Sequence, residues 1–172
     1  MNTTRKQSGK LLLLLTIISI PLLFSSCEED SYDLRNEIIG SYDFELKAYI
    51  DDGQELVYIG DEEGLYDVTG TAQVRKSFEY GDMIEFYQDG DLLFQGENIR
   101  ETDNSIVFDI PTQEFWLGAI PVTVRGINYW DVGNSSYHGA YLYQDESVEI
   151  AFAAEVMDVS SDLVLLFIAY KR

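Results

Sequence analysis

Hydrophobic and polar residues alternate along most of the chain after residue 40. In the first such run every second residue is apolar, namely Tyr42, Phe44, Leu46, Ala48 and Ile50. A period of two places these side chains on one face of a β-strand and the intervening polar ones on the other. The same period returns in four later segments: 66–74, 106–110, 120–124 and 148–156. Trp130 and Val132 are expected to continue the face of 120–124 beyond a bulge or bend at Gly126. The pattern therefore predicts a protein built mainly of half-buried strands.

Turn residues separate these segments at the spacing of hairpins. Asp89 and Gly90 stand between two apolar runs, 83–88 and 92–95, and Asp-Gly in that position is a strong hairpin signal. The apolar run at 163–170 fits a strand covered on both faces, although a buried helix has the same composition. Alternation is poor at 112–117, so a short helix is the alternative to a strand there. We predict eight to ten strands.

These strands indicate an all-β fold with antiparallel pairing. The prediction is a barrel, with a β-sandwich as the alternative, because both accept the same alternation. A membrane barrel would turn its apolar face outward and carry aromatic girdles. The polar faces of these strands are too acidic for that arrangement.

The N-terminal segment has a different composition. Arg5, Lys6 and Lys10 precede a mainly apolar run at 11–24, and two serines lead to Cys27. A basic start, a short apolar middle and small residues before a cleavage point describe a secretory signal peptide. The run is shorter than the roughly 20 residues that a membrane-spanning helix needs. Residues 1–26 are therefore predicted to be removed.

The segment Phe24-Ser25-Ser26-Cys27 resembles the lipobox of bacterial lipoproteins. That resemblance implies that Cys27 becomes the first residue of the mature protein. It also implies that Cys27 carries a lipid anchor made of a diacylglyceryl group and a palmitate-type acyl chain. The acidic residues 28–30 are similar to a signal for display on the surface of the outer membrane. The expected organisation is a signal peptide at 1–26, a lipidated Cys27 with an acidic tether at 27–36, and an all-β domain at 37–172.

A second resemblance concerns the first strand. Gly40-Ser41-Tyr42 is similar to the Gly-x-Trp opening of lipocalin-like barrels, with Tyr42 in place of Trp. In that family a basic residue near the last strand packs over the aromatic ring, and Lys171 and Arg172 end this chain. The resemblance implies a lipocalin-like antiparallel barrel over 37–172. It implies no particular ligand-binding residues.

Charge limits the classes of partner. The signal segment holds three of the 11 basic residues and none of the 31 acidic ones, so the mature chain carries a net charge of −23. Such a chain repels nucleic acid and anionic lipid headgroups. Acylated Cys27 would leave no cysteine for a disulfide, so stability must come from burial.

Few residues suit catalysis or metal binding. His138 is the single histidine and no nucleophile motif accompanies it, so neither a catalytic triad nor a zinc site is expected. Acidic turns such as 51–53, 61–64 and 89–91 could hold calcium, but Asp-Gly clusters are ordinary turn chemistry. We predict no catalytic residues, no metal site and no cofactor.

Aromatic residues are the remaining candidates. The chain has 12 tyrosines and two tryptophans, and Tyr129, Trp130 and Trp116 are the candidate ligand-binding residues. The predicted function is a non-catalytic, lipid-anchored binding or interaction module at the bacterial outer membrane, for a small apolar or glycan ligand. The alternatives are an accessory or inhibitor subunit of a surface protein assembly with no internal pocket, and a hydrolase using carboxylates.

Overall fold

Almost every described segment of the chain is β-structure. The computed structural model describes residues 32–51, 53–59, 68–117, 120–156 and 163–172. One short helix, α1 (Arg35–Ile38), comes first. The strands are β1 (Gly40–Asp51), β2 (Leu56–Tyr58), β3 (Val68–Lys76), β4 (Ile84–Gln88), β5 (Asp91–Glu101), β6 (Ser105–Asp109), β7 (Gln113–Leu117), β8 (Ile120–Gly126), β9 (Trp130–Val132), β10 (Ser135–Tyr137), β11 (Gly139–Leu142), β12 (Ser147–Val156) and β13 (Leu163–Lys171).

Eight of these strands close into an antiparallel barrel. Their order around the barrel is β1, β3, β4, β5, β6, β11, β12 and β13, and β13 pairs again with β1. Closure leaves no open edge among the eight strands, which is how small antiparallel barrels avoid edge-to-edge association. The predicted all-β barrel is confirmed, and the alternative sandwich is not the observed fold. No helix in the described part of the chain is long and apolar enough to cross a membrane.

The long strand β12 changes partner along its length. Residues 147–150 pair with β11, whereas residues 152–156 pair with β8. Strand β8 pairs in turn with β7. The β7–β8 hairpin therefore continues the sheet alongside β12, at the end of the barrel that strands β6 and β11 do not reach.

Gln113 connects this hairpin to β5. Its Oε1 accepts a hydrogen bond from the Gln95 N–H at 2.9 Å, and its Nε2 donates to the Gln95 carbonyl at 3.1 Å. The amide side chain thus takes the place that a neighbouring peptide group would have in a β-ladder. The same Nε2 lies 3.2 Å from the carbonyl of Pro111.

We expect Gln113→Ala to lower the free energy of unfolding by about 1–3 kcal/mol, because it leaves part-buried backbone groups of Gln95 without partners. Denaturant unfolding monitored by circular dichroism measures the loss. Gln144→Ala, at an exposed turn, is the matched control and should change stability by less than about 0.5 kcal/mol. Equal stability of the two variants would contradict this role for Gln113.

Alternation along the strands fills the barrel interior. The core residues are apolar and alternate with outward-facing ones, as in β1, where Tyr42, Phe44, Leu46 and Ala48 are buried. Strand β13 differs, because Val164 is buried on the outer face as well. The expectation of a strand covered on both faces is met at this end of β13, whereas Tyr170 at the other end is exposed.

Helix α1, the start of β1 and the end of β13 meet at one end of the barrel. The buried hydroxyl of Tyr42 donates to the Ile38 carbonyl, and Lys171 Nζ donates to the Glu37 carbonyl at 2.7 Å. Lys171 is opposite Tyr42 in the β1–β13 register, but its ammonium lies 5.5 Å from the ring centroid of Tyr141. A basic residue at this barrel end thus packs on an aromatic ring, although the ring is not that of Tyr42.

The structure decides two sequence-based interpretations of secondary structure. Residues 112–117 are not a helix, because 113–117 pair with β8 as strand β7. The segment 120–132 is not one strand face either. It ends as β8 at Gly126, and Trp130–Val132 begins a separate two-stranded hairpin with β10. Gly133 turns that hairpin with a φ of 63°, a conformation that glycine adopts easily.

Candidate functional site

Phenylalanine rings occupy the middle of the barrel. The ring centroid of Phe94 lies 4.5 Å from that of Phe86, and 5.1 Å from those of Phe152 and Phe167. Phe44 stacks on Phe167 at 5.2 Å. All five rings are buried. At this level the barrel interior is a packed hydrophobic core.

A second, smaller apolar cluster lies on the outer face of the barrel. Val107 of β6 and Ala140 of β11 are paired neighbours and both are buried. The β9–β10 hairpin covers them with Tyr137 and the half-buried Trp130. The hairpin is therefore held to the barrel by hydrophobic contacts, and the Tyr129 N–H bond to the Tyr137 carbonyl at 2.9 Å joins its two arms.

Four aromatic residues form what we call the outer aromatic strip: Tyr49, Tyr58, Tyr129 and Trp130. The rings of Tyr129 and Trp130 meet edge to face at 5.6 Å, and those of Tyr49 and Tyr58 lie 5.5 Å apart. Burial raises the pKa of Tyr129, and nearby Glu149 and Tyr49 raise it further. Both ring pairs lie on the outer face of the barrel, Tyr49 on β1 and Trp130 against the outer cluster.

The strip is partly accessible to solvent. Tyr129 is 45% exposed and Tyr58 is 48% exposed. Leu56 and Val57, in the same short strand as Tyr58, are also exposed. Leu56 lies on the same outer face as Tyr58, whereas Val57 points to the opposite face, because side chains alternate along a strand.

Two polar groups that are shielded from solvent belong to this surface, the carboxyl of Glu149 and the indole N–H of Trp130. Glu149, on the outer face of β12, is half-buried. Burial is the main cause that raises the pKa of its carboxyl, and repulsion from Asp145 raises that pKa further. The indole Nε1 of Trp130 is buried and has no hydrogen-bond acceptor among the described residues. Leaving a buried donor unpaired costs about 1–3 kcal/mol. Hydrophobic burial of the Trp130 ring must offset that cost.

The structure brings together two of the three predicted ligand-binding residues. Tyr129 and Trp130 are brought together in the strip. Trp116 belongs to β7, opposite Pro121 of β8, and its side chain lies outside the described part of the structure. Cys27 also lies outside the described residues, so its lipidation stays a prediction.

Sequence reasoning missed Tyr49 and Tyr58. Tyr49 occupies the outward-facing register of β1, among the charged residues Glu45 and Lys47. An aromatic residue at a position where the period of two demands a polar one was the available signal. Tyr58 carried no such signal, because its three-residue strand is too short to show a period.

His138 has a structural role between β10 and β11. Its Nδ1 accepts a hydrogen bond from the Ile110 N–H at 2.9 Å, so this nitrogen carries no proton in the observed arrangement. Asp109 Oδ1 lies 3.7 Å from the same nitrogen. A side chain at Gly126 would meet the imidazole at 2.3 Å, which explains the glycine there. Among the described residues no group of three or more His, Cys, Asp or Glu side chains could hold a metal ion.

Comparison with known proteins adds no family assignment. No protein-family model matches the chain, and no curated protein matches its sequence. The fold defines the class of protein as an eight-stranded antiparallel β-barrel.

Proposed function

We propose that this protein is a lipid-anchored, non-catalytic interaction module at the bacterial outer membrane, and that it binds a protein partner through the outer aromatic strip. The observation that carries the proposal is the distribution of aromatic residues. Phenylalanine rings fill the middle of the barrel, whereas half-exposed tyrosines stand on its outside. A carrier of an enclosed ligand would need the opposite arrangement, with free space inside.

The chemistry of the strip favours a protein partner. Interface cores are enriched in Tyr and Trp and depleted in charged residues. The exposed Leu56, on the same face of β2 as Tyr58, adds an aliphatic side chain to the strip, which suits burial against another protein better than stacking on a sugar. A glycan ligand is the competing outcome, because exposed aromatic rings also stack on sugars.

The anchor is proposed from the N-terminal sequence. A basic start, an apolar run and Cys27 followed by acidic residues fit lipoprotein processing. Two or more acyl chains give stable anchoring, whereas one chain gives only marginal binding. Mass spectrometry of the N-terminal peptide from purified membranes should find acylated Cys27. Cys27→Ser should move the protein to the soluble fraction.

Variants of the strip test the binding surface. Wild type, Tyr58→Ala, Tyr129→Ala and Tyr170→Ala would each be cross-linked in intact cells. Tyr170 is the matched control because it is an equally exposed tyrosine of β13 outside the strip. A hot-spot residue contributes about 2 kcal/mol or more, which is roughly a 30-fold loss of affinity. A partner that binds the strip should be cross-linked to wild type and to Tyr170→Ala, but not to Tyr58→Ala or Tyr129→Ala. When purified, this partner should bind each strip variant roughly 30-fold more weakly than it binds wild type.

Identical capture by all four proteins would contradict the proposed surface. Strip-dependent binding of purified oligosaccharides, with no strip-dependent protein partner, would replace the protein partner by a glycan.

A further inference from the structure

The loop between β3 and β4 exposes two aromatic residues. Phe78 is 100% exposed and Tyr80 is 55% exposed. The loop is nevertheless held in place: the Ser77 N–H donates to the Met83 carbonyl at 3.1 Å, and the Met83 N–H to the Tyr80 carbonyl at 3.4 Å. A fully exposed phenylalanine on a hydrogen-bonded loop is a side chain held away from the core.

This loop is tied to helix α1. One guanidinium nitrogen of Arg35 lies 3.4 Å from the carbonyl oxygens of both Tyr80 and Met83. Helix α1 is the element through which the chain enters the barrel domain, and Leu34 follows Cys27 by seven residues. The exposed aromatic residues therefore stand at the end of the barrel where a lipid anchor at Cys27 would be attached.

We infer that Phe78 and Tyr80 insert into the headgroup region of the bilayer that holds the anchor and fix the orientation of the barrel on the membrane. The inference rests on the proposed acylation of Cys27. Seven residues extend at most about 25 Å, so an anchored chain keeps this barrel end close to the lipid surface. Aromatic side chains are enriched at the membrane–water interface, where an apolar ring meets a polar boundary.

Charges at the same barrel end determine how the barrel tilts. The β5–β6 and β11–β12 turns carry Asp103, Asp145 and Glu146, all exposed. These carboxylates favour water over lipid. The barrel thus leans on the β3–β4 loop and keeps the other two turns in solution. Glu79 and Asp82 in the loop itself are exposed acidic residues, so zwitterionic headgroups suit it better than anionic ones.

A thiol probe at position 78 tests the insertion. Because Cys27 is the only cysteine, acylation leaves Phe78→Cys as the single free thiol for an environment-sensitive fluorophore. The purified, acylated protein would be reconstituted into phosphatidylcholine vesicles with and without headgroup-level spin-labelled lipid. Leu92→Cys is the matched control: Leu92 is 46% exposed and follows the β4–β5 turn at the opposite end of the barrel.

We expect the probe at position 78 to show a blue shift in its emission and to be quenched by the spin-labelled lipid, and the probe at position 92 to show neither. Unshifted, unquenched emission at position 78 in acylated protein would overturn the inference and leave the anchor intact. Quenching at position 92 in place of 78 would overturn it by placing the opposite end on the membrane. Mass spectrometry that finds no acyl group on Cys27 would overturn the anchor and the inference together.

Discussion

Phe94→Ala is expected to lower the free energy of unfolding by about 3–5 kcal/mol. Phe94 contacts the rings of Phe86, Phe152 and Phe167, which belong to three other strands of the barrel. Truncation removes the transfer free energy of the ring and leaves a cavity that these neighbours only partly fill. A small domain has a total stability of about 5–15 kcal/mol. Denaturant unfolding at neutral pH should show a much lower midpoint.

Phe78→Ala is the matched control for this prediction. It removes the same ring from a fully exposed position, so stability should change by less than about 0.5 kcal/mol. If Phe94→Ala does not fold, the smaller change Phe94→Leu gives the same comparison with a smaller cavity. Similar stabilities for the variants at 94 and 78 would contradict a packed aromatic core.

The barrel was largely predictable because its interior follows the period of two. In β1 four of the five predicted apolar residues, Tyr42, Phe44, Leu46 and Ala48, are buried, and the fifth, Ile50, is half-buried. The β4–β5 hairpin was predictable because its turn needs positive φ angles, which Asp89 and Gly90 have at 52° and 96°. These features depend on residues close together in the sequence.

Other features depend on partners far away in the sequence. The choice between barrel and sandwich is decided by the pairing of β11 with both β6 and β12, which no local pattern encodes. Strand β7 could not be distinguished from a short helix in the sequence, because its pairing partners are β8 and, through Gln113, Gln95 of β5. Two of the four residues of the outer aromatic strip were predicted, because Tyr129 and Trp130 are adjacent in the sequence. Tyr49 and Tyr58 were missed, because only folding brings them to the same face.

The stability of the protein should fall steeply as the pH rises above 10. Burial raises the pKa of Tyr42 above its usual value of 10.0, with further contributions from Tyr141 and Glu146. The pKa of Tyr141 is raised for the same leading reason. In the unfolded chain these phenols ionise near pH 10, whereas in the folded protein they keep their protons. Unfolding therefore releases protons at high pH, and the tyrosines' stabilising contribution is complete below pH 10 and lost above it.

Tyr42→Phe separates the main contributor from the others. Its cost at neutral pH is about 1–3 kcal/mol, because the Ile38 carbonyl loses the Tyr42 hydroxyl as its donor. Above pH 10 the variant should lose stability less steeply, by up to roughly 1.4 kcal/mol per pH unit, which corresponds to one proton. Unfolding free energies measured between neutral pH and pH 11, together with tyrosinate absorbance, give both quantities. Parallel pH profiles for the two proteins would show that Tyr42 ionises as readily in the fold as in the unfolded chain, which its buried position between α1 and β13 argues against.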